Sequence, residues 1–205
     1  MSGPTLQIFF DYNSPYSYIA STQIEALCRR CETQLQWVPF VLGGVFKERG
    51  VTPPFRLPYR VAYLNQDLED LAAFYGIPYR HRTEFLFNPI LSLRATLAVP
   101  PGESRSRAVH ALFRGAFVED QDLGQPNVVR SLLDQAGLDG AALVEAAGSP
   151  PVKEELKRNT DLALSKGLFG APSFLLEDGK MFWGQDRMTV LEWYLKNRKG
   201  NAGGG

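Results

Sequence analysis

The groups in this chain best suited to chemistry sit at turns between elements. Ser14 lies in Asp11-Tyr12-Asn13-Ser14-Pro15, directly behind a short apolar run and directly ahead of a helical pattern. A helix start carries unpaired backbone N–H groups and the positive end of the dipole, so an anion is favoured there and a serine hydroxyl can donate to it. On local sequence alone Ser14 reads first as an N-cap, the commonest use of serine at such a place. Gly170-Ala171-Pro172-Ser173-Phe174 precedes a strand-like run. Proline is tolerated at the first position of a strand, and a cis X-Pro bond suits a tight entry. Gly184-Gln185-Asp186-Arg187 precedes the last helical pattern, where Asp186 reads as a helix cap or as a carboxylate for a ligand's ammonium group.

Two other signals lead away from catalysis. Cys28-Arg29-Arg30-Cys31 has the spacing of a redox or metal pair. A redox pair would open the helix at the strand end, and Ser14 and Ser17 occupy that place. The cysteines fall instead on the apolar face with Ala20, Ile24 and Leu27, so they read as core. His81 and His110 have no clustered ligands, and no metal is expected. His110 reads as a satisfied helix residue rather than a base.

The elements that position these residues follow from periodicity. Residues 5–10 read as a buried strand, and a helix runs from the Ser14-Pro15 start to about residue 31. The valine- and aromatic-rich run 35–42 reads as a second strand, giving a β-α-β opening with a right-handed crossover. Residues 59–166 read as helices divided by Gly- and Pro-containing loops, with no strand and no repeat. The β signal returns as a hairpin over 173–177 and 181–183, followed by a helix over 188–199. The expected fold class is therefore α/β. Residues 1–43 and 167–199 form one sheet-containing domain, 44–166 an all-helical insertion, and 200–205 a flexible tail.

Composition narrows the partners. The chain has 205 residues, 44% of them hydrophobic, and Lys plus Arg equal Asp plus Glu at 22 each. A core is available, and zero net charge argues against polyanion binding, so nucleic acid is not expected. No apolar run is long enough for a membrane and the start lacks a signal-peptide pattern, so a cytoplasmic location is expected.

Together these features are more specific than any one of them. The stretches Phe10-Asp11-Tyr12-Asn13-Ser14-Pro15-Tyr16-Ser17-Tyr18, Phe40-Val41-Leu42-Gly43-Gly44-Val45-Phe46-Lys47, Gly167-Leu168-Phe169-Gly170-Ala171-Pro172-Ser173-Phe174 and Phe182-Trp183-Gly184-Gln185-Asp186-Arg187-Met188 carry a resemblance. They resemble the thioredoxin-superfamily branch that holds bacterial disulfide oxidoreductases with helical insertions and kappa-class glutathione transferases. Within it the chain is most similar to the 2-hydroxychromene-2-carboxylate isomerase family, over residues 5–198.

The resemblance implies a thioredoxin-like fold, a glutathione cofactor, an aromatic small-molecule substrate and a homodimer. Ser14 would donate to glutathione's sulfur and stabilise its thiolate. A free thiol of pKa near 8.5 is only about 3% ionised at pH 7, and lowering that pKa by two units needs about 2.7 kcal/mol. The backbone of Ala171, beside a cis Pro172, would pair with the cysteine of glutathione. Gln185 and Asp186 would take its γ-glutamyl end, and Arg60 a carboxylate. Lys47 would lie near the substrate carboxylate; Tyr16, Phe40 and Trp183 are candidate aromatic walls, although core packing is the commoner role for each. In the implied reaction the thiolate adds to the substrate's conjugated double bond, the adduct rotates, the chromene ring opens and the thiolate leaves, so glutathione is regenerated. Conjugation of electrophiles by a kappa-like transferase is the alternative, and a non-catalytic thioredoxin-like binding protein is an alternative of another class. Val51 and Leu91 depart from the pattern, each standing where relatives often carry asparagine.

Overall fold

A computed structural model describes residues 3–83 and 86–198. The opening is β1 (Thr5–Phe10), α1 (Pro15–Arg30) and β2 (Gln34–Pro39), with β1 and β2 parallel. α2 (Leu42–Glu48) follows, then α3 (Pro58–Tyr75), α4 (Ile90–Ala98), α5 (Glu103–Phe117), α6 (Pro126–Gln135), α7 (Gly140–Ala146) and α8 (Pro150–Ser165). β3 (Ser173–Leu176), β4 (Met181–Trp183) and α9 (Met188–Asn197) complete the chain. The sheet order is β2-β1-β3-β4, and β3 runs antiparallel to both β1 and β4. This is the expected α/β, thioredoxin-like arrangement with a helical block inside it. The tail at 200–205 lies outside the described residues.

Strand alternation makes the sheet a two-faced layer. Leu6, Ile8, Phe10, Trp37, Phe174 and Leu176 point into one core with Ile19 and Ile24 of α1, Phe113 of α5 and Leu191 of α9. Phe9, Val38 and Leu175 point the other way, onto Val45 of α2 and Ala163 of α8. Thus α8, although it falls in the 44–166 stretch, lies against the sheet. Sequence partners agree with the faces: Ile8 pairs with both Trp37 and Phe174, and Phe9 pairs with Val38. Helix starts follow local chemistry too, with proline in the first turn of α1, α3, α6 and α8.

One boundary differs from the sequence reading. The second strand was expected over 35–42, but β2 ends at Pro39 and Leu42 already opens α2. Phe40 and Val41 favour strands by type, yet the N–H groups of Val41 and Leu42 are taken by Thr160 Oγ1 (3.1 Å) and Asp11 Oδ2 (2.9 Å) rather than by a neighbouring strand. Tertiary partners override local β propensity here.

The topology also decides where function can sit. Parallel β1 and β2 both end at one edge of the sheet; antiparallel β3 begins there and β4 ends there. The Ser14 turn, the start of α2, the Gly170–Pro172 loop and the Gly184–Gln185 turn therefore converge.

Candidate active site

Ser14 is the N-cap of α1, in an extended conformation and only 3% exposed. Its Oγ accepts from Ser17 N–H at 3.1 Å and donates to the Ala171 carbonyl at 3.0 Å. The Ala171–Pro172 bond is cis. Ser14, Ala171 and Pro172 are therefore brought together although they are far apart in sequence. Trp183 closes against this loop: a Cβ built on Gly170 would lie 2.2 Å from its indole Nε1, so any larger residue there must displace the indole. Gly184 N–H donates to the Pro172 carbonyl (3.0 Å) and joins the last turn to the same loop.

Two buried polar atoms beside this cap have no hydrogen-bond partner among the described residues. They are Ser17 Oγ on α1 and Oε1 of Gln185, a residue 6% exposed. Unpaired buried acceptors and hydroxyls are costly unless a ligand satisfies them. An orphaned carbonyl at Gln185 fits an ammonium group, and the Ser14 hydroxyl at a helix start fits an anion. Glutathione carries both groups, so these residues fit it.

The remaining expected residues scatter. Asp186 is exposed, 3.8 Å from Arg187, at the rim of the same turn. Arg60 is exposed in the first turn of α3 with its guanidinium 5.8 Å from the Tyr59 ring centre, and it lines no cavity described below. Tyr16 donates its hydroxyl to Asp67 Oδ2 (2.6 Å), bracing α1 against α3. Burial and the Asp67 carboxylate push that phenol's pKa far up. Trp183 is half-exposed and packs on Phe169 at 4.7 Å between ring centres. Phe40 is fully buried in the second core, which is packing rather than a wall. Leu91 packs at the edge of the first core.

Beside Asn13, the residue before Ser14, opens a cleft of about 570 Å³. Phe46 and Lys47 from α2, Val51, Arg56 from the turn before α3, and Asn88 and Ile90 at the start of α4 contribute to its lining. Its walls are mainly apolar, with two cations and the buried Asp11 among them. Val51 is on this wall and adds apolar surface to it. A smaller cavity of about 90 Å³ lies on the other side of Asn13, among Pro15, Tyr79 and His81.

The sequence reading assigned no role to Asp11 or Asn13, both of which line the cleft. Asp11 is 1% exposed, and burial raises its pKa to about 6 despite hydrogen bonds from the backbone of Asn13 and Leu42. Asn13 Nδ2 donates to the Phe87 carbonyl (3.0 Å), and Phe87 N–H donates back to Asn13 Oδ1 (3.3 Å). Carboxylate and amide in a turn look like ordinary turn formers. The available signal is an acidic residue abutting the apolar Ile8-Phe9-Phe10 end of β1.

The two C-x-x-C thiols are where the sequence put them, in the first core, free and buried. Burial pushes Cys28 up to about 12, so it is not a thiolate at neutral pH. His110 pairs with Glu25 (3.3 Å) and His81 with Glu69 (2.8 Å). Among the described residues no helix is long and apolar enough to cross a membrane.

Comparison with known proteins agrees with this geometry. The DSBA-like thioredoxin domain model matches residues 5–196. Human glutathione S-transferase kappa 1 is 30% identical, over 93% of this chain and 90% of its own. The 2-hydroxychromene-2-carboxylate isomerase of Sphingobium xenophagum is 28% identical, over 93% and 97%. A solved 2-hydroxychromene-2-carboxylate isomerase structure superposes with a TM-score of 0.85 at 24% identity, over 98% of this chain and all of that one. With its cis-proline loop, its capped α1 and a family match over nearly its whole length, this chain belongs to the DSBA-like thioredoxin domain family.

Proposed function

We propose that this protein is a glutathione-dependent isomerase of 2-hydroxychromene-2-carboxylate or a close aromatic analogue. The observation that carries this reading is the Ser14 hydroxyl, held at the start of α1 against the cis Ala171–Pro172 loop, one residue from Asn13, which lines a cleft with mainly apolar walls and two cations. The names of the relatives support glutathione and isomerisation as the chemistry to test. Bound at this cap, glutathione would supply a nucleophilic thiolate. Ser14 would turn its hydroxyl proton from the Ala171 carbonyl toward the sulfur, while Gln185 would hold the ammonium end. Lys47 and Arg56 would orient the substrate carboxylate, and Phe46 and Val51 would keep water from its ring.

Conjugation of electrophiles is the second reading, favoured by the 30% identity to a kappa-class transferase. Product analysis separates the two, since free glutathione is conserved in isomerisation and lost one for one in conjugation. The primary test is titration with reduced glutathione while following the thiolate absorbance near 240 nm, roughly where thiolates absorb but thiols do not. Ser14→Ala is expected to lose that band and about 10- to 100-fold of kcat/KM, the worth of a hydrogen bond to a charged group. Normal turnover by Ser14→Ala at neutral pH refutes the role given to Ser14.

A further inference from the structure

The cleft has walls from three separate segments, and two buried side chains of one turn join them. Asp11 Oδ1 accepts from Asn13 N–H (2.8 Å) within the turn that ends in Ser14. Its Oδ2 accepts from Leu42 N–H (2.9 Å), the first residue of the helix that presents Phe46 and Lys47. Asn13 in turn holds Phe87, in the segment leading to Asn88 and Ile90. Both oxygens of Asp11 are thus used, one on each side of the cleft floor. Only an ionised carboxylate accepts well at both; a protonated acid or an amide has a donor on one of them.

We propose that Asp11 is a positioning residue that, as a carboxylate, fixes the Ser14 turn relative to the α2 wall of the cleft. The proposal rests on the functional reading above and adds to it the device that registers nucleophile against substrate. Burial is what makes the device titratable near neutrality, since it opposes ionisation and the two N–H groups offset it only in part. The groups around it are few. Tyr12, next in the turn, is a buried phenol on Thr96 Oγ1 (2.6 Å) that also senses Arg105 of α5. Lys47 of α2 and Arg56 of the turn before α3 share the cleft. α8 contributes the uncharged Thr160 behind Val41, and α4 the uncharged Ile90.

The test uses Asp11→Asn, which keeps size and one acceptor. Glutathione affinity and the thiolate band are expected within twofold of the parent, because Ser14 and Gln185 are untouched. Turnover is expected to fall about tenfold or more, because misplacing reacting groups by even 1 Å costs on that scale. The ratio of parent to variant kcat/KM cancels the titration of glutathione itself. It should fall from tenfold or more at pH 7.5 toward one at pH 5, as Asp11 of the parent takes up its proton. A ratio near one throughout, or one independent of pH, overturns the proposal. A lower melting temperature of the variant at pH 7.5 would also overturn it, by showing a merely structural role. A separate readout needs no glutathione: the Asn13 and Leu42 amide resonances of the parent should titrate together near pH 6, and in Asp11→Asn neither should. Independent or absent titration overturns the tether. A parent that binds no glutathione yet shows the joint titration would refute the proposed function and leave the tether standing.

Discussion

At the scale of single residues, the chemistry rests on groups whose surroundings oppose their ordinary state. Asp11 is the clearest case, with a folded-state pKa raised from 3.8 to about 6. Between those values the unfolded chain is ionised while the folded chain keeps its proton, so stability is fully present below pH 4 and is lost as pH rises through 6. The loss is on the order of 3 kcal/mol for a shift of two units. An amide at this position carries no such penalty. The unfolding free energy of Asp11→Asn should match the parent at pH 4 and exceed it at pH 7.5 by an amount approaching ~3 kcal/mol. Urea denaturation at the two pH values measures this directly, and a gap that does not widen would contradict the burial argument. Stability surrendered at a cleft is characteristic of functional groups. Cys28 is the opposite case: its raised pKa keeps it a thiol, and burial in the core accounts for it without chemistry.

At the scale of elements, the entry to β3 is tuned by contact rather than by propensity. Gly170 lies under the Trp183 indole with no room for a Cβ, and Trp183 in turn is one residue from the Gly184–Pro172 hydrogen bond. Gly170→Ala must therefore displace the indole, and a loss of about 1–3 kcal/mol is expected, the usual cost of overpacking. In a Trp183→Ala background the same substitution should cost far less, and a double-mutant cycle by chemical denaturation measures the difference. Additive costs would mean that the crowding lies elsewhere. α8 makes a second point at this scale. Its Ala163 packs on Phe9 and Val38 while its Thr160 caps the chain at Val41, so one helix both covers the sheet and ends β2.

At the scale of the whole molecule, zero net charge conceals a local one. Lys47 and Arg56 face one cleft whose other walls are mainly apolar apart from the buried Asp11, so the proposed function makes a carboxylate-bearing substrate sensitive to the two cations. The pair Lys47→Ala, Arg56→Ala should raise KM for a carboxylate-bearing substrate about fivefold, equivalent to ~1 kcal/mol for partly solvated charges. A neutral electrophile of the same size should be unaffected, and added salt should blur the distinction. Equal losses for both substrates would assign the two cations to packing.

The sequence by itself determined the strands, most of the helices and the proline-capped start of α1. Each of these is written in local terms: two-residue alternation, helical periodicity, and turn residues at element ends. Cys28 and Cys31 were legible as core because helical spacing alone put them on the apolar face. Tertiary structure decided what no window of sequence contains. It ended β2 at Pro39 because Thr160 and Asp11 capture the next N–H groups, and it set Arg56 rather than Arg60 on the cleft. It also turned Asp11 from an ordinary turn former into a buried titrating tether, because desolvation and hydrogen bonding depend on which distant segments fold over a residue and not on its neighbours in the chain.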